Sequence, residues 1–272
     1  MISTYSISSR HLRPCVQYII FNHSADPQDK RCITAFANNN ICLGIIRGKK
    51  IKKLGDDAMQ MEAHRGITFY FTGMYMKPCE FSQEGCQDEI CIDFTPAGFY
   101  SFFPFNAKTF IAGDHLDDIL GTGSHFFFES VFNETDFTKR GQMIENFLLK
   151  KLQANENPFL AETLHHFDYS HDETKLHEIS RKMRCSEKKI YRLFTNYFDV
   201  SPKDYSRIVR FRKVLWNLNH HRSFAFQHLA NGVDYFDQSH LIREFQFFTG
   251  KSPSKFSTNF ECVDNKIIFE VR

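Results

Sequence analysis

The spacing of hydrophobic positions changes character partway along the chain. Up to about residue 130, apolar residues cluster in short runs: Cys15 to Phe21, Ile41 to Arg47, Ile67 to Thr72 and Glu89 to Thr95. These runs are rich in Ile, Phe and Tyr, several are apolar at consecutive positions, and Asn38-Asn39-Asn40 and Lys77-Pro78 punctuate them. Such runs predict buried strands, and with them an α+β domain dominated by sheet. From Asp136 to about Gln153 the period becomes helical, with Met143, Ile144, Phe147, Leu148 and Leu152 on one stripe and Lys150-Lys151 at the favourable end of the helix dipole. Asn155-Glu156-Asn157-Pro158 breaks that helix and reads as an interdomain linker, with Pro158 suited to the first turn of the next helix.

Beyond the break nearly everything has helical spacing. Phe159, Leu160, Leu164 and Phe167 give one segment; Leu176, Ile179 and Met183 a second; Ile190, Leu193, Phe194 and Tyr197 a third. Ser201-Pro202 places an N-cap before a proline at the first helical position, which predicts a fourth helix running through Phe211 to about Leu218. The pattern then restarts: a helix at Phe224 to Gly232, another from Asp237 to about Phe248, and Ser252-Pro253 opening a last one.

This restart is a repeat. Ile179-Ser180, Ser186, Arg192-Leu193-Phe194 and Ser201-Pro202 recur about 50 residues later as Leu229-Ala230, Asp237, Arg243-Glu244-Phe245 and Ser252-Pro253. The predicted fold is thus a mostly β-sheet α+β N-terminal domain, then an all-α domain with two helix-turn-helix motifs joined by a long helix. The expected boundaries are 1–153, 154–260 and a C-terminal tail at 261–272.

Charge follows the same division. Residues 1–170 hold 16 Lys and Arg against 20 Asp and Glu, whereas residues 171–260 hold 16 against 9, so a formal net charge of +2 conceals a basic C-terminal half. That is the electrostatic footprint phosphate binding needs. The eight cysteines contain no Cys-x-x-Cys pair, and the chain is long enough to build ordinary cores without a disulfide scaffold. With neither a signal-peptide pattern at the N-terminus nor an apolar run near the ~20 residues of a membrane span, a cytoplasmic protein with reduced thiols is expected.

In each motif the second helix would enter a DNA major groove, with a polar outer face opposite an apolar inner one. In the first, Lys188, Tyr191, Arg192 and Thr195 lie opposite Ile190, Leu193 and Phe194; in the second, Gln238, Ser239, His240 and Arg243 lie opposite Leu241, Phe245 and Phe248. Arg192 and Arg243 suit bidentate pairing with guanine and Gln238 with adenine. Ser201 and Ser252, at helix N-termini, suit phosphates, and Lys203, Arg207, Arg210, Arg212, Lys213, Lys251 and Lys255 are candidate backbone contacts. A solvated helix face explains any one of these charges equally well; Arg at matching positions of a repeat is what favours groove contact.

At these residues the chain resembles the AraC/XylS family of bacterial transcription regulators, over about residues 158 to 260. The resemblance rests on residues 186–194 (Ser-Glu-Lys-Lys-Ile-Tyr-Arg-Leu-Phe), 200–205 (Val-Ser-Pro-Lys-Asp-Tyr), 237–245 (Asp-Gln-Ser-His-Leu-Ile-Arg-Glu-Phe) and 250–256 (Gly-Lys-Ser-Pro-Ser-Lys-Phe). It implies base contacts at Lys188, Tyr191 and Arg192 and at Gln238, Ser239, His240 and Arg243. The family usually carries glycine where this chain has Arg184 and Asp234, and often where it has Asp199, and it tends to be apolar where this chain has Glu244. The segment Ile92-Asp93-Phe94-Thr95-Pro96-Ala97-Gly98 is similar to part of the sensing domain of some AraC-type regulators, although a strand running into a Pro-Gly turn explains it as well.

The expected function is sequence-specific regulation of transcription, with double-stranded DNA as the partner. The N-terminal domain would bind a small-molecule effector, form a homodimer, or both, and contact with RNA polymerase is a further option. A different class of function would use Cys79, Cys86 and Cys91 near His64 as a thiol or metal sensor or an enzyme, although cysteines on strands are more often small core residues. The helix at 136–153 is either a dimer contact or packs on its own sheet. No Gly-rich phosphate loop or His-Glu-x-x-His motif is present, so neither a cofactor nor an enzymatic activity is expected.

Overall fold

In a computed structural model the described residues are all except 56, 106–110, 154–156, 169–175, 222–234, 236, 257–259, 264–266 and 272. They form two compact units. One comprises Met1–Cys32, Asn40–Gly73 and Phe81–Asn157, the other Ile33–Asn39, Met74–Glu80 and Pro158–Arg272.

The first unit is built on strands β1 (Ile2–Ser6), β2 (Val16–Ser24), β4 (Ile41–Lys53), β5 (Ala58–Thr72), the part from Phe81 on of β6 (Cys79–Glu84), and β7 (Gln87–Phe94), in the order β1-β2-β7-β4-β5-β6. A short strand β8 (Ile111–Gly113) pairs with β5. The register carries an apolar row across the sheet: Ile19 faces Ile92, Ile92 faces Leu43, and Leu43 faces Phe71. All four are fully buried. Strand residues alternate between faces, so this row fixes the neighbouring one, Ile20, Cys91, Gly44 and Tyr70, on the other side.

Three helices occupy residues that the apolar runs had suggested were strand and irregular connection: α1 (Pro96–Phe99), α2 (Leu116–Leu120) and α3 (Ser124–Asn133). The segment from Ile92 to Gly98 is a corner, where Thr95 donates to the Pro14 carbonyl at 2.7 Å and accepts from the Gly98 N–H at 3.0 Å. Behind it, Phe71, Phe94, Phe99, Phe103 and Phe105 meet mostly edge to face, with centroids 4.8 to 6.0 Å apart. Much of the chain's phenylalanine is therefore ordinary core.

Helix α4 (Phe137–Lys151) starts at Asp136, whose side chain accepts from the N–H groups of Thr138 and Lys139. It buries Ile144 and Leu148, as the stripe predicts, and also Arg140 and Glu145. Glu145 accepts from the Tyr5 hydroxyl at 2.6 Å and from the backbone and hydroxyl of Ser8, tying the helix to β1 of its own unit. Arg140 forms an ion pair with Asp88 at 2.7 Å beneath the ring of Phe137.

The second unit contains α5 (Pro158–Asp168), α6 (Leu176–Lys182), α7 (Glu187–Phe198), α8 (Pro202–His221) and α9 (Gln238–Thr249). The helix expected at Phe224 to Gly232 and the turn at Asp234 lie outside the described residues. Two expectations are corrected. Ser252-Pro253 opens only a 3-10 turn, Pro253–Lys255, and the residues expected as a tail hold strands β9 (Phe260–Val263) and β10 (Ile267–Val271). Strand β10 pairs with Ile33–Ala35 of β3 (Lys30–Ala35), so residues 33–39 belong to this unit. Phe36 and Ala37 lie in the same core as Phe211, Leu215, Leu241, Phe245, Phe248 and Phe256.

Candidate nucleic-acid interface

Helices α7 and α9 are built alike. The Ser186 side chain caps α7 by accepting from the Lys189 N–H, and the Asp237 side chain caps α9 by accepting from the His240 N–H. Inward, α7 buries Ile190, Phe194 and Phe198, and α9 buries Leu241, Phe245 and Phe248. Outward, Lys188, Tyr191 and Arg192 are exposed on α7, and Gln238, Ser239 and Arg243 on α9; His240 is half-buried, its ring 5.3 Å from that of Tyr235. Each set of expected base readers thus occupies one solvent-facing strip.

Helix α8 serves two cores. Near its start Tyr205 joins an aromatic cluster with Phe167, Phe194 and Phe198. Further along, Phe211 stacks on Phe248 with centroids 4.7 Å apart, and Ile208, Val214, Leu215 and Leu218 complete the second core. Its 20 residues make it about 30 Å long, longer than the fourth helix read from the sequence.

The expected phosphate contacts divide. Lys203 and Lys255 are exposed. Three others are already engaged inside the protein. The Ser201 hydroxyl donates to Asp204 Oδ2 at 2.7 Å and accepts from the Asp204 N–H at 3.1 Å, so a carboxylate stands at the helix N-terminus where a phosphate was expected. Arg207 Nε donates to Glu244 Oε1 at 2.6 Å and its Nη1 lies 3.1 Å from Asp204 Oδ1. Lys251 Nζ donates to Glu270 Oε2 at 2.5 Å. Ser252 is half-buried ahead of the 3-10 turn, without a side-chain cap; Arg210 is half-buried beside Glu244, and Arg212 and Lys213 are half-buried on α8.

Of the three departures from glycine, the two among the described residues, Arg184 at the first turn and Asp199 before Ser201-Pro202, have the backbone that glycine would favour. Arg184 has φ +49° and Asp199 φ +58°, while Gly250, which closes α9 as Asp199 closes α7, has φ +68°. The repeat therefore keeps its left-handed stops even where a side chain must tolerate them.

In the first unit the face opposite the apolar row is polar and largely buried. Tyr70 lies across Gly44, where a Cβ would fall 2.1 Å from its ring, and its hydroxyl donates to Glu89 Oε1 at 2.7 Å. The Asn22 amide donates to Glu89 Oε2 at 2.9 Å, and Asn40 to Asp93. Burial pushes Glu89 up from the ordinary carboxyl range and pushes Tyr70 well up, with Cys91 and Glu89 adding to the latter. Of the cysteines considered for a sensor, Cys79 is buried and belongs to the second unit, whereas Cys86, exposed and donating to the Ala25 carbonyl, and half-buried Cys91 belong to the first. His64 is half-buried on β5. Among the described residues no group of three or more His, Cys, Asp or Glu could hold a metal ion, and no helix is long and apolar enough to cross a membrane.

Residues 179–259 match the family model of a helix-turn-helix domain. The C-terminal domain is of the AraC type. The helical C-terminal part therefore carries a helix-turn-helix domain, behind a mostly-β N-terminal part. ToxT from Vibrio cholerae, in a P21 crystal form, superposes with a TM-score of 0.50 at 10% identity, over 89% of this chain and 97% of that one, a likeness of fold. A second ToxT structure, bound to an unsaturated fatty acid, gives a TM-score of 0.48 at 10% identity over 87% and 94%. No curated protein matches this chain.

Proposed function

We propose that this chain is an AraC-type regulator of transcription and reads two adjacent major grooves of one duplex, α7 entering one and α9 the next. The observation that carries the reading is the matched pair of exposed strips, Lys188, Tyr191 and Arg192 against Gln238, Ser239 and Arg243, with half-buried His240 beside the latter, on helices with matching caps and buried faces. An α8 of about 30 Å is of the length needed to hold two such helices one helical turn of DNA apart, ~34 Å. The strips differ in chemistry, so the two half-sites differ in sequence. Lys203 and Lys255 are the proposed phosphate contacts; Ser201, Arg207 and Lys251 are withdrawn from that role because their partners lie within the protein.

Selection of bound sequences from random duplexes, followed by footprinting of the winner, tests this. The expected result is protection of two major-groove segments about 10 base pairs apart on one face, with affinity falling steeply as salt rises. Protection of a single groove, or a flat salt response, contradicts it.

The N-terminal unit is the proposed effector-binding part. Its support is the polar inner face of the sheet, where titratable groups with displaced proton affinities gather around Glu89 and Tyr70, as binding sites often collect them. Homodimerisation and contact with RNA polymerase belong to the same proposal as routes of regulation. Thermal-shift screening of metabolites against the chain and Glu89→Gln tests the effector site: a ligand that stabilises both equally does not bind there.

A further inference from the structure

Glu244 occupies a position where an apolar residue would be the ordinary packing choice, on the helix that carries Gln238, His240 and Arg243. Its side chain is only 8% exposed, and it is not isolated. Arg207 of α8 donates from Nε to Oε1 at 2.6 Å and reaches back one turn to Asp204 at 3.1 Å. The Arg207 guanidinium also lies over the ring of Phe247 at 4.5 Å and faces Phe248 at 5.3 Å. A second cation, Arg210, places Nη2 3.8 Å from Glu244 Oε2 and lies over the ring of Tyr235, which in turn meets the ring of His240.

We propose that Arg207 and Glu244 form an ionic lock that sets the roll of α9 against α8, making both of them positioning residues for readout of the second groove. The inference rests on α9 being a groove helix. Stability alone does not account for the pair, since well-packed apolar residues of similar size commonly serve as well or better than a buried ion pair. Direction is what it supplies. An apolar contact tolerates a small rotation, whereas a hydrogen bond from a guanidinium already held by Asp204 and Phe247 does not. Glu244 directly follows Arg243, so fixing the azimuth of one fixes the other. At a side-chain radius of about 5–6 Å, a roll of about 20° moves a contacting tip by roughly 2 Å, beyond hydrogen-bonding tolerance.

The test compares the full chain with the double variant Arg207→Met/Glu244→Leu, which removes both charges together and leaves neither buried alone. Binding is measured to the selected duplex and to duplexes scrambled in either half-site. The lock predicts that the double variant folds and keeps its discrimination at the α7 half-site, but loses about tenfold in discrimination at the α9 half-site. Wild-type discrimination at both half-sites overturns the lock. If the double variant does not fold, Glu244→Gln, which keeps an oxygen acceptor for Arg207, makes the same comparison: a loss of about threefold or more confined to the α9 half-site supports the lock, and an unchanged ratio overturns it. A wild-type chain indifferent to one half-site fails differently, since it removes the two-groove reading and the lock with it.

Discussion

The Tyr205 hydroxyl donates to Asp168 Oδ1 at 2.8 Å, joining the end of α5 to the start of the connecting helix inside the aromatic core of the first motif. Burial raises the Asp168 carboxyl from 3.8 to about 6, an effect that the Tyr205 bond, Lys213 and His165 only partly offset. The folded state therefore holds this proton more tightly than the unfolded chain. Its contribution to stability is fully present below the unfolded value near 3.8 and is lost as pH rises through about 6, amounting to about 3 kcal/mol.

Asp168→Asn keeps an acceptor for Tyr205 without the charge. Denaturant unfolding of both chains between pH 4 and 8 is expected to show the variant gaining on the wild type as pH rises, with the difference levelling off above about pH 7. A constant difference across that range would place the carboxylate in solvent.

Phe36 is distant in sequence from the helix-turn-helix residues, yet its ring meets Phe256 with centroids 5.4 Å apart and it is 2% exposed. Phe36→Ala is expected to destabilise the second unit by about 3–5 kcal/mol and to weaken DNA binding near its unfolding midpoint. Calorimetry of the full chain checks this, and an unchanged transition would mean that the strand at 33–35 is dispensable to that unit.

A side chain at φ +49°, as at Arg184, costs about 1–2 kcal/mol relative to the right-handed region, and glycine escapes that strain at some cost in unfolded-state entropy. Arg184→Gly is thus expected to stabilise the first motif by about 0.5–1 kcal/mol. Gly250→Ala, at φ +68°, should destabilise the second by a similar amount. Paired urea titrations of the two variants measure both signs.

Arg140 is 3% exposed, with Asp88, the carbonyls of Glu134 and Phe132, and two aromatic rings around it. Arg140→Met is expected to destabilise the first unit by about 3–5 kcal/mol, because Asp88 remains buried with only Arg47 as a close arginine partner. The companion Arg140→Met/Asp88→Leu should recover much of that loss in the same unfolding assay.

What sequence patterning exposes is local. The apolar runs located β2, β4, β5 and β7, and the helical stripes located α4, α5, α6, α7 and α8, because burial of one face imposes a period that needs no knowledge of the partner. Ser186 and Asp237 were legible only as matching positions of the repeat; that both side chains cap their helices is seen in the structure. Charged residues with distant partners were not. Arg140 falls on the apolar stripe of α4 and Glu145 at its edge, and both are buried because Asp88, Tyr5 and Ser8 come from far away in the chain to receive them. The same distance concealed Arg207 with Glu244 and Lys251 with Glu270, which made internal ties look like phosphate contacts. Strand β10 was illegible because a strand of five residues is defined by its pairing with Ile33–Ala35 more than by its own pattern.

The central claim is that α7 and α9 read different halves of one site, and Arg192 and Arg243 hold equivalent exposed places on the two helices. The most direct measurement repeats the sequence selection with Arg192→Ala and with Arg243→Ala in the full chain. Each substitution is expected to relax preference at its own positions by about 1–3 kcal/mol, with the two sets about 10 base pairs apart. Relaxation at the same positions by both variants, or at none, would contradict it.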